Sequence, residues 1–361
     1  MLDNAPSPLN LTGRSIGPGS PAFVIAEIGV NHDGSEATAM RLVEAAWEGG
    51  ADAVKLQLFS ASRLVHPRAR LAGYQRATGA ASPAELLRKY ELDDDVVGRL
   101  VKAIGQSGMI ALATPFSPAD VTRIARLGLP AIKLASPDLT NDLLLDAAGE
   151  LNVPLLLSTG ASTQAEVGRT VDRLNHRGTA FALLHCVSSY PTPDGEAGLS
   201  RIAALADRYE AIVGYSDHTQ NLASGALAVA AGAKIVEKHL THSRSAKGPD
   251  HSASADPRQF AEYVNRLREA ETLLGDARAD RRPLEVEADV RAQSRQSLVT
   301  TVSLRGGEPI VREALTCQRP GTGIPASKID EVIAMVAVRD IPAGAMLDWT
   351  DLDVKPSRRA A

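Results

Sequence analysis

The chain has 361 residues, 44% hydrophobic and 23% charged, a globular composition long enough for roughly two domains. Its 39 basic and 43 acidic residues leave a net charge of −4, without the basic field that draws a protein onto nucleic acid or anionic lipid, so neither partner is expected. The longest apolar run, ALAVAAG at 226–232, falls far short of a membrane span. Cys186 and Cys317 lack metal-ligand spacing and MLDNAPSPLN is no leader, so a reduced, cytoplasmic protein is expected.

Short runs rich in Val, Ile and Leu recur along the first three quarters of the chain: FVIAEI (23–28), AVKLQL (53–58), MIALAT (109–114), AIKLAS (131–136), PLLLST (154–159), FALLHC (181–186), AIVGYS (211–216) and KIVEKH (234–239). Between them, stretches such as 36–50, 94–108, 118–128 and 163–178 carry apolar residues at three- and four-residue spacing and end near Gly50, Gly108, Gly128 and Gly178, the signature of capped amphipathic helices. A further periodic stretch, 256–275, closes the series. Eight strand-helix units over roughly 250 residues predict an α/β fold of the (β/α)8 TIM-barrel type. The polar segment 59–93 exceeds minimal spacing and is expected to be an inserted loop over the barrel mouth.

Residues 276–296 are charged and poor in large apolar side chains, as a linker or an exposed helix would be. Beyond them SLVTTVSLRGGEPIVREAL (297–315) is echoed by VIAMVAVRDIPAGAMLDWTDL (332–352), with turn glycines at Gly307 and Gly344. The expected organisation is a barrel over 1–280, a linker over 281–296 and a small β-rich domain of two similar halves over 297–361.

In a TIM barrel the chemistry gathers at the C-terminal ends of the strands, and polar residues collect there in this sequence. They are Glu27, Lys55, Gln57, Thr114, Lys133, Ser136, Ser158, Thr159, His185, Ser188, Tyr190, Ser216, Asp217, His218, Lys238 and His239. Thr114, Ser158 and Ser216 suit helix N-caps as well as ligand contacts. Lysine is almost never buried without a partner, so Lys55 and Lys133 inside apolar strands call for an anion: a bound phosphate or carboxylate, or a salt bridge with Glu27 or Asp138. The hydroxyls and loop N–H groups would complete a phosphate cradle. His218 and His239 end neighbouring strands, and two histidines with spare coordination positions suit a divalent metal such as Mn, Co or Zn. Asp217 is a candidate ligand or orienter. His185, His242 and His251 are further candidates, His32 reads as a loop residue beside the site, and His66 and His176 read as exposed.

Taken together, AEIGVNHDG (26–34), GGADAVKLQLF (49–59), TPFS (114–117), IKLASPDL (132–139), LLSTGAST (156–163), LLHCVSSYPTP (183–193), VGYSDHT (213–219), EKHLT (237–241) and GPDHSASADP (248–257) resemble the N-acetylneuraminate (sialic acid) synthase family across the whole barrel. RPGTGIP (319–325) with the two repeat halves resembles the antifreeze-like SAF domain that ends those synthases. The resemblance implies condensation of phosphoenolpyruvate with N-acetylmannosamine or a related 2-acetamido sugar, giving a nine-carbon α-keto acid and phosphate by C–O cleavage. By the same resemblance Lys55, Thr114, Lys133, Ser136, Ser158 and Ser216 would hold phosphoenolpyruvate. His218 and His239 would hold a divalent metal, Mn2+ by preference, with Mg2+ or Co2+ as substitutes. Glu27, Gln57, Tyr190 and Asp250 would contact the sugar, and Arg319 would reach the barrel of a second subunit, implying a domain-swapped homodimer.

Two departures fall in the sugar pocket: Asp138 stands where some members carry Glu, and Ser188 where some carry Asn. Synthases of legionaminic or pseudaminic acid, which use 2,4-diacetamido-trideoxy hexoses, share this scaffold. A Schiff-base aldolase with Lys133 or Lys55 as nucleophile is the alternative chemistry on the same barrel. A keto-octulosonate-type synthase, or ice or partner binding by the tail, fits the sequence less well.

Overall fold

A computed structural model describes residues 6–70, 81–275 and 282–354. The chain divides into two compact units, Met1–Ala277 and Arg278–Ala361.

The first unit opens with a hairpin, β1 (Leu9–Leu11) and β2 (Arg14–Ile16), which the sequence reading did not anticipate. Eight strands follow: β3 (Phe23–Gly29), β4 (Ala53–Leu58), β5 (Ile110–Pro115), β6 (Ile132–Leu134), β7 (Leu155–Ser158), β8 (Phe181–Cys186), β9 (Ile212–Asp217) and β10 (Ile235–His239). They close in sequence order, β10 pairing parallel with β3, so the expected TIM barrel is present with each strand in its expected place. Each predicted helix forms too, over Glu36–Glu48, Asp94–Gln106, Pro118–Leu127, Gln164–Arg177 and Pro257–Leu274. Gly128 and Gly178 cap their helices at φ 64° and 66°, while Gly50 and Gly108 follow one residue beyond the cap at φ 78° and 81°, also left-handed.

Side chains alternate across each strand, and this sorts the barrel into an inner and an outer set. Outward residues such as Val24, Ala26, Ile28, Val54, Leu56, Leu157 and Val236 pack with the helices into the main core. Inward residues near the strand starts, Phe23, Ile25, Leu112, Leu156, Leu184, Ile212 and Ile235, form a second cluster together with Leu9, Leu11 and Ile16 of the hairpin. The hairpin thus plugs the N-terminal end of the barrel. Farther along the same inward rows the residues turn polar: Phe23, Ile25, Glu27 on β3; Ala53, Lys55, Gln57 on β4; Ile235, Glu237, His239 on β10. An apolar floor beneath a charged ceiling is the frame on which the site is built.

In the segment 59–93 the described parts hold two short helices, Ala61–Leu64 and Pro83–Arg88. Phe59, Leu86 and Tyr90 pack with Val30 in a small cluster of their own. Residues 71–80 of the expected insertion lie outside the described residues.

In the second unit the segment expected as a linker carries a helix, Ala288–Ser294, with Val286 and Val290 exposed. Beyond it β11 (Ser297–Thr300) pairs antiparallel with β12 (Leu315–Gln318), and β13 (Met335–Ala337) with β14 (Leu352–Val354). The repeat seen in the sequence is a repeat in space. Leu304 and its counterpart Ile341 exchange a pair of backbone hydrogen bonds, both 2.8 Å, and the bridges Val299–Met346 and Pro309–Val336 mirror one another. Gly307 and Gly344 take matching φ of 82° and 81° at the two turns.

Candidate active site

Two lysines inside a barrel need counter-charges, and the structure supplies them. Lys55 Nζ lies 2.9 Å from Glu27 Oε2 and 3.0 Å from Glu237 Oε1. Lys133 Nζ lies 3.8 Å from the same Glu237 oxygen, and its close contacts are neutral: it donates to Ser158 Oγ at 2.6 Å and to the Leu134 carbonyl at 3.1 Å. Ser216 Oγ donates to Glu237 Oε1 at 3.1 Å, and Gln57 Nε2 to Glu27 Oε1 at 3.1 Å. All these groups except Gln57 are buried.

Burial pushes Lys55 down to about 8 despite the neighbouring Glu237. At Glu237 burial opposes ionisation, but Lys133 and Lys55 outweigh it and hold the carboxyl well below its ordinary value. Glu237 was missed in the sequence reading, which noted only its neighbours Lys238 and His239. It sits two residues before His239 on the inward row, a signal that strand alternation makes readable. Asp138, the alternative partner considered for the lysines, accepts instead from Asn141 Nδ2 at 3.0 Å on the turn after β6, and burial raises its carboxyl.

The hydroxyl cradle is assembled from β5 to β9. Thr114 Oγ1 and Glu237 Oε2 are buried without a hydrogen-bond partner; buried polar atoms left unpaired invite a ligand or water. Ser136 Oγ accepts from the Gly160 N–H at 3.0 Å. A Cβ on Gly160 would lie 2.4 Å from Ser188 Oγ, 2.8 Å from Ser136 Oγ and 3.0 Å from Cys186 Sγ, so only glycine lets these three groups close around one backbone amide. Helix capping is not their work: Ser117 caps the helix after β5 and Thr163 the helix after β7. Cys186, which the sequence reading did not place in the site, also touches His218 Nδ1 at 3.7 Å. Burial works against its thiolate, yet His218 and its other neighbours bring the thiol below its ordinary value.

His218 and His239 do meet, with ring centroids 5.4 Å apart. Tyr190 stands over both, 4.1 Å from the His218 ring and 6.0 Å from the His239 ring. His218 Nδ1 is 2.8 Å from the Val187 carbonyl; donating there, it leaves Nε2 with a lone pair. His239 Nδ1 is buried with no hydrogen-bond partner, and Asp250 Oδ2 stands 3.7 Å away. Burial first, and then the positive neighbours His218 and Lys55, hold His239 well below its usual value, so it presents a neutral ring. Burial raises the Asp250 carboxyl. At His218 burial opposes the protonated form, but Cys186 outweighs it and raises the imidazole above its usual value. A borderline divalent metal at this pair of imidazoles beside a carboxylate would therefore bind in exchange for that proton.

Several candidates face away from this chamber. Asp217 and Lys238 point outward into the helical layer: Asp217 Oδ2 accepts from Lys238 Nζ at 3.0 Å, Ser224 Oγ at 2.5 Å and Tyr263 OH at 2.8 Å. Asp217 Oδ1 is taken by Tyr215 OH and the Thr219 N–H, which leaves the carboxylate no capacity to ligate a metal in the chamber. It anchors the strand end that carries His218. His185 also points outward, stacked on Tyr215 with Nε2 2.7 Å from the Ala197 carbonyl. His32 accepts from the Gly34 N–H at 3.0 Å and is held down to about 4, chiefly by burial. Arg319 is exposed in the second unit, at the end of β12.

The fold and this chamber define a (β/α)8 barrel whose charged, hydroxyl-lined interior lies next to a pair of histidines. Residues 42–279 match the NeuB family and residues 295–353 the SAF domain. The chain belongs to the NeuB family of nonulosonate synthases, whose members include legionaminic, pseudaminic and neuraminic acid synthases. It is 36% identical to N,N'-diacetyllegionaminic acid synthase of Legionella pneumophila over 92% of this chain and 94% of that protein. It is 31% identical to mouse N-acetylneuraminate-9-phosphate synthase over 84% of this chain and 85% of that one. The crystal structure of N-acetylneuraminic acid synthetase from Leptospira borgpetersenii, in complex with citrate, superposes with a TM-score of 0.72 at 30% identity, covering 79% of this chain and 95% of that one.

Proposed function

We propose that this chain condenses phosphoenolpyruvate with the open-chain aldehyde of a 2-acetamido sugar, N-acetylmannosamine in the first instance, releasing inorganic phosphate and leaving a nine-carbon α-keto acid. The observation that carries the reading is the pairing of Lys55 and Lys133, buried among Thr114, Ser136, Ser158 and Ser216, with the His218–His239 pair. A small, highly charged phosphate ester suits such a cradle. Lys133, whose nearest partners are neutral oxygens, is free to meet the phosphoryl group, and the hydroxyls orient the rest of the ester.

The chemistry balances within these residues. The methylene carbon of the enol ester bonds to the aldehyde carbon, water adds to the resulting oxocarbenium carbon, and the bond from that carbon to the phosphate oxygen breaks to leave the ketone. The water's two protons end on the new hydroxyl, formed from the aldehyde oxygen, and on the released phosphate. Glu27, fixed by Lys55 and Gln57, is placed to take the proton of the water. Gln57, Tyr190, Asp250 and, from the turns beside them, Asp138 and Ser188 orient the sugar. A divalent ion such as Mn2+ held by His218 and His239 would polarise the sugar carbonyl as a Lewis acid. Arg319 would complete the pocket of a second copy in a domain-swapped homodimer, which light scattering of the full chain checks. The free cysteines Cys186 and Cys317 suit a cytoplasmic enzyme, and no helix among the described residues is long and apolar enough to cross a membrane.

A second reading, with a 2,4-diacetamido-trideoxy hexose as acceptor, is favoured by the 36% identity to the legionaminic acid synthase. Phosphate release from phosphoenolpyruvate, measured with N-acetylmannosamine, with the diacetamido sugars and with arabinose 5-phosphate, each with Mn2+ and with chelator, separates the readings. Metal-dependent release with one acetamido sugar is expected. Release with none of them from folded, metal-loaded protein refutes the assignment.

A further inference from the structure

A second group of donors stands on the same barrel, outside the chamber. Asp33 lies in the loop after β3, and His242 and His251 lie in the segment after β10. His242 Nε2 is 2.8 Å from Asp33 Oδ2, and His251 Nε2 is 3.0 Å from Asp33 Oδ1. One ligand atom from each of the three lies within 4.8 Å of the others. His251 is fully buried, and its Nδ1 is 2.7 Å from Thr241 Oγ1. That hydroxyl is itself held by the Ser243 N–H at 3.1 Å. The ring therefore cannot swing, and its Nε2 is aimed at Asp33. A histidine whose far nitrogen is tied to a fixed oxygen while the near one faces a carboxylate and a second histidine is the arrangement that metal-ligating histidines adopt.

The spacing also suits a small ion. Bonds of about 2.0–2.1 Å from a tetrahedral zinc place neighbouring donor atoms roughly 3.3 Å apart. The two histidine nitrogens stand 2.8 and 3.0 Å from the two oxygens of Asp33, and one donor atom from each residue lies within 4.8 Å of the others, so small side-chain rotations reach that spacing. Without metal each imidazole donates an N–H to the shared carboxylate; one divalent ion can take the place of those two protons with small rotations of the side chains. Asp33 and His242 are exposed, so a water can complete the coordination from the solvent side. Two imidazoles and one carboxylate favour zinc-like metals over Mg2+ or Ca2+, which prefer oxygen donors.

We propose that Asp33, His242 and His251 form a second metal site, separate from His218 and His239, that takes Zn2+ or a similar divalent transition-metal ion. Its effect is mechanical: it ties the loop after β3 to the segment after β10. That segment carries Asp250, adjacent to His251 and 3.7 Å from His239, so the clamp steadies a side chain that faces the chamber.

The test is a metal count that needs no turnover. Full-chain protein stripped with chelator and desalted is titrated with Zn2+ against a chromophoric competitor. His242→Ala and Asp33→Asn, both at exposed positions, are titrated beside it, with His218→Ala as the control for the chamber and circular dichroism as the check on folding. His242→Ala and Asp33→Asn are each expected to lose one equivalent that His218→Ala retains, and Thr241→Val to weaken that equivalent by about 10–100-fold. If His218→Ala loses nothing while His242→Ala loses one, the clamp stands and the metal reading of the chamber fails. If folded His242→Ala and Asp33→Asn bind the same number of equivalents as the unmodified chain, with unchanged affinity, the second site does not exist.

Discussion

Replacing Glu237 by Gln keeps the shape of the chamber and removes the one charge shared by both lysines. At an effective dielectric of about 20, contacts of 3.0 and 3.8 Å to Lys55 and Lys133 correspond to roughly 5 and 4 kcal/mol of Coulomb attraction. Desolvation of the carboxylate offsets much of this, and removing one partner of a buried pair costs about 3–5 kcal/mol in practice. Lys55 keeps Glu27 at 2.9 Å, so the loss falls hardest on Lys133 and the expected destabilisation lies toward the lower end, about 3 kcal/mol. The sharper expectation concerns the ligand. Phosphoenolpyruvate brings negative charge to the lysines that Glu237 no longer neutralises, so it should stabilise Glu237→Gln more than it stabilises the parent. Urea unfolding with and without phosphoenolpyruvate measures both quantities. A loss below about 1 kcal/mol would mean that Glu237 is not the counter-charge, and an equal or smaller ligand shift in the variant would separate the two lysines from the anion site.

Two further outcomes follow from the same geometry. Lys55, lowered to about 8 by burial, loses its charge in the free enzyme as pH rises through that value, so kcat/KM for phosphoenolpyruvate should fall on the alkaline side with an apparent pKa near 8. Because the folded state binds that proton less tightly than the unfolded chain does, the same group makes the fold more stable as pH rises from about 8 toward 10.5. Activity and stability should therefore diverge over that interval, and a kcat/KM profile that stays flat would show that Lys55 is not needed in its charged form. Gly225→Ala places a Cβ 2.4 Å from Tyr263 Cζ, and the ring cannot yield without losing its hydrogen bond to Asp217. Overpacking should outweigh the gain in helix propensity and cost about 1–3 kcal/mol; thermal unfolding at or above the parent temperature would refute this.

Much of the barrel was legible because its signals are local. Val-, Ile- and Leu-rich runs, helical periodicity and terminal glycines act within a few residues of one another, and each of the eight strands lies where its run predicts. The hairpin at 9–16 was not legible: LNL and RSI are too short to show a period, and they are ordered by the barrel end they plug. Within the site, sequence order brought His218 and His239 together because neighbouring strands end side by side. Period two was also enough to tell Glu237 and His239, which face inward, from Lys238, Asp217 and His185, which face the helices, although a list of polar residues at strand ends blurs the two sets.

What the sequence by itself determined is therefore the eightfold barrel, the repeat in the tail and the residue types at the strand ends. Which carboxylate neutralises which lysine was decided only by closing the barrel. Lys55 and Glu237 lie 182 positions apart in the chain, and no local pattern reports a pairing made across the barrel interior. The same holds for Asp33 with His242 and His251, which meet because β10 closes against β3. Charge compensation in a buried interior depends on distance in three dimensions, and that distance exists only after folding.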